Sequence, residues 1–276
     1  MTESVFHHMS RLVLARDLQS PLGPPLQHDQ PAEEAFELLC ESSFLDGYDA
    51  MDRFSLVIRD GEPVGWTSLD TLDNGATVAD SMAAINPGSV LSSDTTALQV
   101  ADLFETTRIH SFFVLEHNEI TGILAYEDLF GLPFRLCLLA LTLGLEQSAL
   151  NLLSHSPTES WQALPQRRQE KAREVHRSRY GEKPRSEGPP LQQWLGCTMF
   201  CDKATMLKKR QLLAEWPGRR IDAVFSEAEN VRNVCAHTDR DEGFNNALIA
   251  RRELPRFLRD VQSLTSAIDG AGESLG

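Results

Sequence analysis

Two periodicities divide the chain. Up to about residue 133, short β-branched or aromatic runs alternate with turn residues and helical stretches; beyond it, apolar residues recur at helical spacing. The run 54–58 (FSLVI), the turn residues 59–63 (RDGEP) and the run 64–68 (VGWTS) predict a hairpin. The same order returns as 111–115 (SFFVL), 116–119 (EHNE) and 120–124 (ITGIL). A helix is expected before each hairpin. One covers 31–45, with Glu33 and Glu34 in its first turn; the other covers 95–106, with Asp94 as its candidate N-cap. Residues 126–130 open a further helix. Gly65 and Gly122, 57 residues apart, mark an internal repeat.

After residue 133 the pattern predicts helices only. Leu136, Leu139, Leu143, Leu150 and Leu153 mark a first long helix, and 161–180 a very polar one. The segment 181–190 is dense in Gly and Pro and reads as a loop. Further helices are expected at 191 to about 216, ended by Pro217 and Gly218, at 221 to about 237, and at 244–268, interrupted or kinked near Pro255. Four to five helices over this length describe a bundle. The most apolar stretch, 134–145, is short and contains Arg135, so a buried core helix is expected and a membrane span is not. The first eleven residues lack the pattern of a secretion signal, and five scattered cysteines favour a reducing compartment. The expected location is cytoplasmic, without membrane contact.

Charge sharpens the division. Residues 1–133 hold five Arg, no Lys and 22 Asp plus Glu, a net −17, while residues 134–276 hold 21 basic against 18 acidic residues, a net +3. Phosphate contacts need Lys and Arg, so an RNA partner is expected only on the second half. There, residues 167–185 carry eight Lys or Arg against three Glu: a grip for RNA phosphates, a solvated polar helix, or a strap for the acidic half. Cys197 and Cys201 are four apart with no His at ligand spacing, so buried thiols are expected and a metal site is not.

The segment from Ser89 to Phe130, SVLSSDTTALQVADLFETTRIHSFFVLEHNEITGILAYEDLF, resembles a CBS domain in its order of strand, helix, strand, turn, strand, helix. CBS motifs come in tandem, and the resemblance implies a Bateman-type α/β module with an adenine nucleotide such as AMP or ATP in its cleft. An Asp six residues after the last-strand glycine holds the ribose in that family. Counted from Gly122 this is Asp128, with Ala125 where a hydroxyl residue is usual. Counted from Gly65 it is Thr71, with Asp70 one place away and Ser68 at the hydroxyl position. Without the family, Asp128 is equally a carboxylate favoured at a helix N-terminus.

In the helix expected at 221–237, the six residues Arg232 to His237 (RNVCAH) resemble the signature of the HEPN superfamily, and Asp202-Lys203 resembles the preceding long helix of such domains. Five residues separate Arg232 and His237, about 140° on a regular helix, so they converge only where the helix ends or distorts. The resemblance implies a composite cleft shared by two protomers of a homodimer. There His237 moves a proton at the ribose 2′-hydroxyl or the leaving 5′-oxygen, Arg232 holds the scissile phosphate, and Asn233 orients the phosphate or the histidine. Internal 2′-hydroxyl attack needs no metal or other catalytic cofactor. The plain alternative pairs Arg232 with Glu227 or Glu229 and leaves His237 at a helix C-terminus.

The expected fold class is therefore α+β: a tandem CBS module over 1–133 (units 8–75 and 84–131), an all-α HEPN-like bundle over 134–270, and a disordered tail over 271–276. The expected activity is a CBS-regulated, metal-independent endoribonuclease. The rival is a non-catalytic adenine-nucleotide sensor whose helical domain binds a partner or a second copy.

Overall fold

The computed structural model of the chain describes residues 8–9, 11–46, 54–72, 76–181, 191–236 and 253–275. They form two compact units, one of residues 13–131 and one of residues 1–12 with 132–276.

The first unit is built twice from the same parts. α1 (Ala15–Leu18), β1 (Leu26–Gln27), α2 (Ala32–Asp46), β2 (Phe54–Arg59), β3 (Glu62–Ser68) and α3 (Leu69–Leu72) make the first set. α4 (Val78–Ser81), β4 (Val90–Ser92), α5 (Ala97–Thr107), β5 (Ser111–Glu116), β6 (Glu119–Ala125) and a 3-10 turn (Tyr126–Phe130) make the second. In each three-stranded sheet the first strand runs parallel to the middle strand, and the hairpin closes the sheet antiparallel. Both hairpins turn on two residues of positive φ, Asp60-Gly61 and His117-Asn118, the backbone that a tight hairpin between twisted strands requires. α5 is capped by Thr96, whose hydroxyl accepts from the Gln99 amide, and not by Asp94, whose carboxylate pairs with Arg16 at 2.6 Å.

Each set is completed by a segment that belongs to the other in sequence. Residues 13–20 hydrogen-bond to the second set: the Ala15 amide to the Thr95 carbonyl at 2.8 Å, the Ala97 amide to the Val13 carbonyl at 2.9 Å, and Ser20 with Ile123 in both directions. Residues 76–83 return the arrangement on the first set. There the Val78 amide reaches the Gln30 carbonyl, and Trp66 and Ala83 exchange backbone bonds at 2.8 and 2.9 Å. Val78 lies in the first core with Leu26, Leu39, Val57 and Leu72. By packing, residues 76–83 go with the first set, whereas residues 13–20, read as part of the first unit (8–75), go with the second. Gly65 and Gly122 owe their identity to this crossover. A Cβ on Gly65 would lie 2.6 Å from the Ala83 carbonyl oxygen, and one on Gly122 2.9 Å from that of Ser20, closer than a methyl can approach.

The second unit is helical: α6 (Leu132–Ser154), α7 (Pro157–Gln162), α8 (Gln166–Tyr180), α9 (Leu191–Gly196), α10 (Phe200–Lys209), α11 (Gly218–Cys235) and α12 (Glu253–Glu273). α6 packs against α10, α11 and α12. It is the one described helix long and apolar enough to cross a bilayer, but Phe134, Leu138, Leu141, Leu145, Leu152 and others are buried within the fold, as in a core helix. Its buried stripe is rotated from the one expected, leaving Leu136 54% exposed.

Two long helices of the sequence pattern are broken. The stretch 161–180 divides at Pro165, which has no amide to continue α7. The stretch 191–216 divides at 197–199, where the Thr198 hydroxyl takes the Leu195 carbonyl and the Met199 amide donates to Asp202 at 3.0 Å. The helix ends at Lys209. Pro255 lies in the first turn of α12, where a missing amide costs nothing; residues 244–252, on which the rest of the expected helix falls, lie outside the described residues. α12 continues to Glu273, into the stretch read as a tail. Cys197 is buried, but Cys201 is exposed, because α10 turns it outward. Cys137 and Cys235 are buried, and desolvation pushes each thiol up to about 12.

Candidate functional site

The two expected sites lie in different units, and each is built from its own residues. In the helical unit, Arg232 stands in the last turn of α11 and Asn233 is exposed beside it; His237 lies outside the described residues. The Arg232 guanidinium lies over the ring of Phe200, 4.8 Å from its centroid, a face that favours a cation. Phe200 is fully buried and meets Phe225 edge to face at 6.0 Å, so this platform is fixed. Asn233 Oδ1 accepts from Nη2 of Arg232 at 3.0 Å and from Nε at 3.3 Å. The amide oxygen expected to orient phosphate or histidine is thus turned onto the arginine. Glu146 of α6 pairs with Arg232, at 3.7 Å from Nη1.

Glu146 joins Arg232 to a deeper polar group. Its Oε1 accepts from Lys203 Nζ at 3.0 Å, and the same ammonium donates to the Thr198 carbonyl at 2.7 Å. Lys203 is 1% exposed, so its charge is stabilised by these partners instead of water. Asp202, also buried, takes two hydrogen bonds from Arg168 of α8, at 2.6 and 2.9 Å, besides capping α10. The Asp-Lys pair read from the sequence is therefore a framework, with Asp202 fastening α8 and Lys203 fastening α6. Of the basic stretch, Arg168 is engaged in this way and Arg173 stacks over Trp194 at 4.8 Å, while Arg167, Lys171, Arg177 and Arg179 are exposed. Residues 182–190 lie outside the described residues.

Sequence reasoning missed Glu146 and Phe200. A signal for the first exists: Glu146 is the only acid in α6, a helix apolar nearly all round. A lone carboxylate there needs a partner. Nothing in the sequence singled out Phe200 from other core aromatics.

In the first unit, Asp128 and Thr71 do occupy equivalent places. The Ala125 amide donates to Asp128 Oδ2 at 2.6 Å, and the Ser68 amide donates to Thr71 Oγ1 at 2.9 Å. Asp128 Oδ1 also accepts from the Ser20 hydroxyl at 2.9 Å, a contact made by the crossing segment and invisible in the linear motif. In the first repeat Thr71 Oγ1 contacts Thr67 Oγ1, the Ser68 carbonyl and the Ser68 hydroxyl. Ser68 is buried, and Asp70 is exposed on α3 with no role in this cluster. Trp66, 5.4 Å from Phe54 and 5.9 Å from Phe113, links the two sheets. Among the described residues no group of three or more His, Cys, Asp or Glu is arranged to hold a metal ion.

Comparison with known proteins bears on the first unit. Residues 86–133 match the CBS domain family, so the chain contains a CBS domain followed by a largely helical region. Among solved structures, the CBS domain of a CBS domain containing membrane protein from Sphaerobacter thermophilus is similar at 16% identity and a TM-score of 0.34, over 44% of this chain and 90% of that one. CBSX2 in complex with AMP is similar at 20% identity and a TM-score of 0.33, over 42% and 92%. The CBS domain of a bacterial CNNM/CorC family Mg2+ transporter in complex with ATP is similar at 16% identity and a TM-score of 0.33, over 45% and 90%. A search of the curated proteins finds no match.

Proposed function

We propose that the protein is a nucleotide-responsive, metal-independent endoribonuclease of HEPN type. Two copies would contribute Arg232 and His237 to one cleft. The carrying observation is the state of Arg232: partly exposed in the last turn of α11, yet fixed from below by Phe200 and from the side by Glu146 and Asn233. Asn233 uses one hydrogen of Nη2 and the Nε–H, and Glu146 faces Nη1, which leaves the second Nη2 hydrogen and one Nη1 hydrogen for a phosphate.

In this reading the ribose 2′-hydroxyl attacks the adjacent phosphorus, closing a 2′,3′-cyclic phosphate and breaking the bond to the 5′-oxygen. His237 takes the 2′-hydroxyl proton or supplies one to the departing 5′-oxygen, and an imidazole with a pKa near ~6.5 suits either transfer near neutrality. Arg232 offsets the charge that develops on the non-bridging oxygens. An adenine nucleotide at Asp128 then tunes the rate, to the extent that it binds two states of the protein with different affinity.

The rival reading, a nucleotide sensor without catalysis, is favoured by the same contacts taken the other way: Arg232 already has partners enough for a structural role. One experiment separates them. Purified protein, Arg232→Ala and His237→Ala are incubated with RNA in excess EDTA, and each is titrated calorimetrically with AMP and ATP, the nucleotides bound by the CBS structures named above. The expected result is cleavage by wild type that falls about 100-fold or more in each variant, with nucleotide binding unchanged. Equal cleavage by all three removes the enzyme, and nucleotide binding without cleavage establishes the sensor.

A further inference from the structure

The contacts of Glu146 go further than a salt bridge. α6 carries one acid and packs against both α10 and α11. That acid faces one cation from each of these helices: Lys203 of α10 at 3.0 Å on Oε1 and Arg232 of α11 at 3.7 Å on Oε2. The two cations differ. Lys203 is buried and tied to the Thr198 carbonyl, so it is a fixed anchor, whereas Arg232 is partly exposed and has a long side chain with many rotamers. A carboxylate held on one oxygen by a buried ammonium presents its other oxygen in one place. That makes it a template for the guanidinium.

We infer that Glu146 is the positioning residue of the Arg232 site, holding the guanidinium at the orientation in which it meets a substrate phosphate. The inference rests on the proposed nuclease reading for its purpose, but not for its geometry. Phe200 sets the height of the guanidinium plane by stacking, and Asn233 holds its Nη2–Nε edge. Among the described residues Glu146 is the acid that faces the Nη1 end, and it adds a restraint on rotation within the plane. Without it the stacked guanidinium turns on the ring, and the hydrogens aimed at phosphate lose their direction. The loss would fall on turnover more than on binding, because orientation matters most where charge develops.

The test begins with a readout that needs no RNA. In 15N-labelled protein the Arg232 Nε–H resonance, assigned with Arg232→Lys, is expected to be resolved and slow to exchange. It is expected to be averaged or lost in Glu146→Gln and weakened less in Lys203→Met, which retains the acid but removes its anchor. Should Glu146→Gln fail to fold because Lys203 is left without its partner, Glu146→Gln/Lys203→Met removes ammonium and acid together and is read in its place. With RNA, Glu146→Gln is expected to lower kcat by about tenfold with KM within about twofold, and Glu146→Asp to recover part of it. Added guanidinium ion is expected to restore some cleavage to Arg232→Ala and none to Arg232→Ala/Glu146→Gln, since the ion needs the carboxylate to seat it. An unchanged Arg232 resonance in Glu146→Gln, or equal rescue with and without the acid, overturns the inference. If wild type cleaves no RNA, only the nuclease reading falls, and the resonance still decides whether Glu146 holds Arg232.

Discussion

Asp202 and Lys203 are neighbours in sequence with opposite charge, yet they do not serve each other: Asp202 takes Arg168 and the Met199 amide, while Lys203 takes Glu146 and the Thr198 carbonyl. Each is buried, so removing either leaves a partner without compensation. Asp202→Ala deletes the acceptor for Arg168 and the cap of α10 together. Arg168 is 30% exposed, and water recovers part of the loss. A cost of about 3 kcal/mol is expected, combining a partly screened ion pair with a cap. Urea unfolding measures it, and a loss below about 1 kcal/mol would show that Asp202 is no anchor. Arg168→Met keeps the cap and is expected to cost less.

At the level of elements, the sequence located both hairpins and the helices preceding them, because alternation and turn chemistry are local properties. It assigned the wrong cap to α5. Asp94 has the right chemistry, but it sits two residues before Thr96 and is drawn to Arg16 across the crossover, a contact between residues 78 apart. Thr96→Ala is therefore expected to cost about 1 kcal/mol and Asp94→Ala, an exposed ion pair, less than about 0.5 kcal/mol. Equal losses in thermal unfolding would restore Asp94 as the cap. The helical unit was legible as helices but not in its breaks. Periodicity continues through 197–199, and only the hydrogen bonds of Thr198 and Asp202 stop the helix there. The candidate site shows the same limit: Arg232 and Asn233 are readable as a motif, whereas Glu146 and Ser20 become partners only through packing that brings distant segments together.

The whole CBS-containing unit is where linear reading fails most and where a prediction follows from topology. Two repeats 57 residues apart invite division into two small domains, but the bonds at Ala15, Ala97, Ser20, Val78 and Trp66 show that each repeat is closed by a segment of the other. About 50 residues bury too little surface to be stable alone, and here each half would also expose the backbone groups its partner segment satisfies. Residues 13–131 are therefore expected to unfold in one transition, with the fluorescence of Trp66, the only tryptophan in that span, coinciding with the loss of far-UV ellipticity. Residues 84–131 alone are expected to remain unfolded, although that span includes nearly all of the segment matching the CBS family. Gly65→Ala pushes a methyl against the Ala83 carbonyl and should lower the stability seen by both probes equally, by about 1–3 kcal/mol. Were Trp66 to report an earlier transition than the ellipticity, or the 84–131 fragment to fold, the crossing segments would be ornament and not closure. Their coupling of the repeats is also what would let a ligand at Asp128, joined to Ser20, be felt in both.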